Sequence, residues 1–156
     1  MSESDESIEL LRRMPVFGGL SESSLQFILD KSESVDVEPD DYFFHEGEPA
    51  QSLYVLTAGS VTIEKTWNGE AVHLGELGVG DCVGEMAIID LEPRSAAVRA
   101  NTACRAIKVT RHTLLKLYQS DLEQYALIMM NMGREVSRRL RVASEQLFER
   151  DQTMPK

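Results

Sequence analysis

The spacing of apolar side chains changes twice along the chain and divides it into three stretches. Over Ser7 to Met14, Ile8 and Leu11, joined by Leu10, share one face at helical spacing, which predicts a short helix. Pro15-Val16-Phe17-Gly18-Gly19-Leu20 interrupts it, since proline and paired glycines punctuate a helical pattern. Ser21 then stands as an N-cap before Leu25, Ile28 and Leu29 and predicts a second helix. From Ser34 the period falls to two. Val35 and Val37 alternate with acids, Pro39-Asp40-Asp41 turns the chain, and Tyr42-Phe43-Phe44 follows before the turn His45-Glu46-Gly47-Glu48-Pro49. Leu53-Tyr54-Val55-Leu56 is a continuous apolar strand closed by Gly59, and Val61-Thr62-Ile63 begins the next. Asn68-Gly69, between Trp67 and Glu70, predicts a type I′ hairpin, because both residues accept positive φ. Val72 and Leu74 lie on the return strand, Leu77-Gly78-Val79-Gly80 leads onward, and Ala97 to Arg99 and Cys104 to Val109 complete the set. Short strands at even spacing predict a sandwich or barrel, read here as an antiparallel β-roll.

The third stretch is helical. Thr110 caps a helix through Leu114, Leu115 and Leu117, and Tyr118-Gln119-Ser120-Asp121 leads into the longest segment, Leu122 to Arg150. At 100° per residue, Tyr125, Met129, Met132, Val136, Leu140, Ala143 and Leu147 fall within an arc of about 80°. So narrow a stripe suits a homodimer seam through residues 122–148, or packing on the chain's own roll, and both can hold on different turns. Arg134, Arg138, Arg139 and Arg141 surround it as a solvated face, unless one reaches a bound anion. The fold class expected is α+β: a helical lead-in over 1–33, the roll over 34–110, helices over 111–150 and a tail over 151–156, in one domain.

Composition narrows the function classes. A chain of 156 residues with 42% hydrophobic and 27% charged residues is an ordinary globular domain. No apolar run approaches a membrane span, the acidic start is no signal peptide, and Cys82 and Cys104 stand apart without a CxxC motif. Buried free thiols and a cytoplasmic location are expected. The net charge is −10, yet thirteen acids against three bases lie in residues 1–50, while twelve bases against six acids lie from Arg94 onward. An acidic total argues against non-specific nucleic-acid binding, and the basic second half softens that argument. His45, His73 and His112 are scattered, with no nucleophile, HExxH, Walker or metal-ligand motif, so neither a catalytic nor a metal site is expected.

Candidate chemistry gathers between Gly80 and Val98. Gly84 permits a sharp turn or a close backbone approach, and Glu85-Met86-Ala87-Ile88-Ile89 can begin a helix whose free N–H groups favour an anion. Glu85 would repel a phosphate there unless it reached past it to hydroxyls. Arg94 follows Pro93, and its planar fork suits phosphate oxygens. Ser95 adds a hydroxyl, while Ala96 and Ala97 leave room. One acid for a diol, with an arginine and several amides for a phosphate, describes a sugar-phosphate site. The bland alternative is a turn in the roll, with Arg94 salt-bridged to Glu85 or Glu92.

Gly-Glu-x-Ala followed by Arg-Ser-Ala resembles the phosphate-binding cassette of cyclic-nucleotide-binding domains, the family of bacterial catabolite activator proteins and protein kinase A regulatory subunits. The likeness continues through Val98-Arg99-Ala100-Asn101-Thr102-Ala103-Cys104 and covers roughly residues 15 to 148. It implies a cyclic-nucleotide-binding regulatory sensor that signals through its C-terminal helix to a protein partner. Val83, Gly84, Glu85, Met86, Ala87, Arg94, Ser95 and Ala96 would form the ligand site, with Glu85 on the ribose 2′-hydroxyl. The Thr-Ser pair that holds adenine in catabolite activators matches Ala143-Ser144 here. Ser144 therefore keeps a base contact that Ala143 has lost. The Arg-Ser pair favours cAMP over cGMP. Catabolite activators continue into a helix-turn-helix domain that has no counterpart before Lys156, which argues against direct DNA control. Two alternatives remain: a degenerate site on a dimeric interaction module, and a haem or redox sensor of the kind found among relatives with a His or Cys near the hairpin, here His73.

Overall fold

The computed structural model describes residues 3–153. Residues 154–156 of the expected tail lie outside that range, and the final helix continues through Thr153. Helix α1 (Glu3–Arg12) starts and ends earlier than its periodicity suggests, and Pro15–Phe17 forms a 3-10 turn rather than a plain break. Helix α2 (Glu22–Lys31) is capped by Ser21, whose hydroxyl accepts from the amide of Ser24 at 3.2 Å.

Eight strands follow: β1 (Glu33–Val37), β2 (Tyr42–Phe44), β3 (Ser52–Ala58), β4 (Val61–Trp67), β5 (Glu70–Leu77), β6 (Cys82–Val83), β7 (Ala97–Ala100) and β8 (Cys104–Thr110). Helix α3 (Glu85–Asp90) lies between β6 and β7. The strands form two antiparallel sheets, one ordered β1-β8-β3-β6 and the other β2-β7-β4-β5. This is the antiparallel β-roll with flanking helices that the sequence pattern predicts. The hairpin turns through Asn68 (φ 53°) and Gly69 (φ 80°).

Two cores explain the unusual strands. Leu56 of β3 and Cys104 and Ala106 of β8 join Phe44, Val61, Val83, Val98 and Ala100 inside the roll. Leu53 and Val55, and Ile107 and Val109, point the other way into a core built with α1, α2 and the C-terminal helices. Strands buried on both faces read as continuous apolar runs, because each alternate set meets a different core. Both cysteines are buried and free, as expected.

Helix α4 (Arg111–Ser120), capped by Thr110, and α5 (Leu122–Thr153) close the second core. Here the expected apolar stripe divides. Met132 is buried and Tyr125 and Met129 pack on the helical core. From Leu140 to Thr153 every residue is exposed. The face of α5 left open to solvent carries Ala126, Met130, Gly133, Ser137, Leu140, Ser144 and Leu147, all exposed and spaced alternately four and three apart. The stripe divides because the chain's own core claims Met129 and Met132. The side chain of Asn131 donates to the carbonyls of Val16 (3.2 Å) and Gly18 (2.9 Å), pinning α5 to the 3-10 turn.

Candidate functional site

A cleft of about 510 Å³ lies between the cassette, β5 and α5. Its inner end is set by Gly84, which has φ 85°. An ideal Cβ there would collide with Nη1 of Arg94 and approach Phe44 Cε1 to 3.3 Å, so only glycine fits beside the arginine.

Arg94 is 5% exposed. The turn between β2 and β3 holds its backbone: Gly47 donates to its carbonyl at 2.8 Å, and its amide donates to the carbonyl of Glu48 at 2.9 Å. Its Nη2 donates to the Ser52 carbonyl at 2.8 Å and Nη1 to the Gly84 carbonyl at 3.1 Å, while the guanidinium carbon sits 3.9 Å from the Phe44 ring centroid. Neither Glu85 nor Glu92 pairs with it, so the salt-bridged turn is not what forms. Burial lowers the guanidinium pKa, with Tyr54, Glu48 and Glu85 opposing the drop, and arginine stays charged in proteins. Two of its five N–H donors are engaged, and Nε is buried without a partner among the described residues.

Glu85 is 4% exposed. Desolvation raises its pKa, with the cation of Arg139 opposing most strongly. Arg139 donates from Nη1 to Glu85 Oε1 and from Nη2 to the Cys82 carbonyl at 2.9 Å. An arginine expected on a solvated face therefore anchors α5 to the cassette. Two of the other arginines find partners on α5 itself: Arg134 on Asn131 and Arg138 on Glu135. Burial and the neighbouring carboxylate push the Cys82 thiol well up; it stays protonated and is a poor nucleophile.

Val83, Gly84, Glu85, Met86, Arg94, Ser95 and Ala96 line the cleft together, and Ala87 lies in α3 just beyond Met86. Ser144 does not join them. It is exposed on the open face of α5, since one residue past Ala143 turns about 100° away from the face that lines the cleft. That face is Arg138, Arg139, Val142, Ala143 and Gln146. Arg139 and Gln146 were missed as cleft residues in the sequence; the signal available was their helical spacing of four and three from Ala143. Leu74 also lines the cleft. Ile63 pairs with Gly75 and Glu64 with His73, so Leu74 is the extra residue of a β-bulge, a device that re-aims a side chain beside a site. His73 lies exposed on the hairpin, 3.8 Å from Glu76. No described helix is long and apolar enough to cross a membrane, and no cluster of three metal-ligating side chains occurs among the described residues.

The arrangement suits an anionic ester linked to a vicinal hydroxyl: donors at Arg94 and Ser95, and a carboxylate acceptor close by. The chain is 34% identical over 105 residues to the cAMP-activated global transcriptional regulator CRP of Salmonella typhimurium, covering 66% of this chain and 48% of that protein. The chain thus spans about half the length of the curated relatives it matches first. A crystal structure of a cyclic nucleotide-binding domain from Methylobacillus flagellatus superposes with a TM-score of 0.83 at 21% identity, covering 98% of this chain and 85% of that one. The catabolite activator protein of Thermus thermophilus gives a TM-score of 0.74 at 27% identity, covering 88% of this chain and 63% of that one. Residues 34–121 match the cyclic nucleotide-binding domain family, and the chain belongs to that family.

Proposed function

We propose that this chain is a regulatory sensor that binds a cyclic nucleotide, cAMP in preference to cGMP, and signals through α5 to a protein partner in the cytoplasm. The observation that carries this reading is the pairing, in one cleft, of a buried arginine with donors to spare and a buried carboxylate held by α5. Arg94, the Ser95 hydroxyl and the amides of Met86 and Ala87 take the cyclic phosphate. Glu85 takes the ribose 2′-hydroxyl, for which a carboxylate keeps acceptor capacity after pairing with Arg139. Val83, Gly84 and Ala96 shape the wall.

Because Arg139 ties α5 to Glu85 and Asn131 ties it to the lead-in, displacement of the cassette acts on the whole helix. The open seam then makes α5 the site of homodimerisation, and Ser144 lies on that seam, where it faces a second copy rather than its own cleft. Linkage requires that a ligand favouring one dimer arrangement bind more tightly to it. Calorimetric titration with cAMP and cGMP side by side tests the reading: cAMP should bind about tenfold more tightly, a difference of about 1.4 kcal/mol. No binding of either at millimolar concentration would leave a dimeric interaction module instead.

A further inference from the structure

We infer that Gln146 reads the base of the bound nucleotide and supplies the adenine preference that Ala143 and Ser144 do not. This rests on the cyclic-nucleotide reading and extends it to the far end of the same cleft.

The argument begins with the polar groups of the cleft. Arg94, Glu85, Arg139, Arg138 and Glu76 all have partners within the protein. Arg94 and Arg139 keep an unpartnered Nε, but two lining side chains have no hydrogen-bonding group engaged among the described residues: the Ser95 hydroxyl and the Gln146 amide. They serve opposite ends. Ser95 adjoins Arg94, at the phosphate. Gln146 lies seven residues beyond Arg139 on the same helix, about 10 Å along its axis. Arg139 marks the carboxylate that takes the sugar, so the offset matches the reach of a nucleoside from its ribose to the outer edge of its base.

Between the two ends the walls are apolar. Leu74, aimed by the bulge of β5, and Val142 of α5 both line the cleft and are 57% and 42% exposed. A flat ring placed against these side chains covers both and leaves its edge toward the Gln146 amide. That amide offers one donor face and one acceptor, the complement of the adenine 6-amino group and N7. The Hoogsteen edge of guanine presents two acceptors, O6 and N7, and meets only half of it. Ala143 lines the cleft without a hydrogen-bonding group, and Ser144 is turned to the seam. On this face of α5 the assignment therefore falls to Gln146.

Gln146→Leu tests it. The residue is exposed on the free end of α5, and leucine keeps both bulk and helix propensity, so the fold is undisturbed. Wild type and variant are titrated with cAMP, cGMP, the 7-deaza analogue of cAMP and the cyclic phosphate of purine riboside, which lacks the 6-amino group. The wild type should bind cAMP about tenfold more tightly than either analogue, and Gln146→Leu should bind all three alike at the weaker level. If the wild type binds cAMP but Gln146→Leu discriminates as well as it does, the assignment to Gln146 is overturned and the cyclic-nucleotide reading stands. If the wild type binds none of the four, the reading itself is overturned and the assignment with it.

Discussion

Replacing Gly84 with alanine separates a backbone penalty from a collision with the buried arginine proposed to hold the phosphate. Gly84 and Gly80 have similar positive φ values, 85° and 90°. A Cβ at Gly80 meets nothing within 4 Å, whereas one at Gly84 strikes Arg94 Nη1 and comes within 3.3 Å of Arg94 Cζ. Gly80→Ala should therefore cost only the left-handed conformation, about 1–2 kcal/mol. Gly84→Ala pays that and also displaces Arg94, breaking charged hydrogen bonds to the carbonyls of Ser52 and Gly84, each contributing roughly 1.5–3 kcal/mol. Relaxation of the loop recovers part of this, so a total loss of about 3–4 kcal/mol is expected. Urea unfolding gives both values, and calorimetry gives cAMP affinity, which should fall at least tenfold for Gly84→Ala and stay near wild type for Gly80→Ala. Equal destabilisation by the two substitutions, with unchanged affinity in both, would refute the view that Gly84 exists to admit the arginine.

Leu140→Glu should convert the expected dimer to a monomer in light scattering at micromolar concentration, because it sets two carboxylates in one seam. Leu140 is 66% exposed in the single chain, so monomer stability should change by less than about 0.5 kcal/mol; a wild type that is already monomeric with and without nucleotide rules the seam out. Glu85 carries a pH signature. Burial raises its folded pKa above 4.5, so the folded state holds more protons and stability falls as pH rises from about 4.5 through that higher value. The Tm of Glu85→Gln relative to wild type should climb across that window and then level, since loss of the Arg139 partner adds only a constant offset; a gap that stays flat with pH would show the carboxyl is not perturbed.

The roll was legible because its signals are local. Asn68-Gly69 demands positive φ, and Ser21 and Thr110 cap the helices they precede. The cassette was equally plain, since Gly84, Glu85, Arg94 and Ser95 sit close in sequence and in space. What the sequence hid depends on how α5 is rotated. Its stripe of Tyr125, Met129 and Met132 belongs to the core made with the lead-in, and long-range contacts such as those of Asn131 with Val16 and Gly18 and of Arg139 with Glu85 fix that orientation. The same rotation turns Ser144 outward and brings Arg139 and Gln146 to the cleft. Arg139 meets Glu85 across 54 positions of chain, a distance that no periodicity reports.

The most direct test of the account is the affinity of the Arg94→Ala and Arg94→Lys variants for cAMP, measured by calorimetry beside the wild type. Circular dichroism must first confirm that both variants are folded, because Arg94 also bonds to the Ser52 carbonyl. Loss of the guanidinium removes at least one charged hydrogen bond to the phosphate, about 1.5–3 kcal/mol, so Arg94→Ala should bind at least tenfold more weakly. Arg94→Lys should recover little of that, since an ammonium lacks the fork and its fixed geometry. Folded Arg94→Ala binding cAMP as tightly as the wild type would contradict the account.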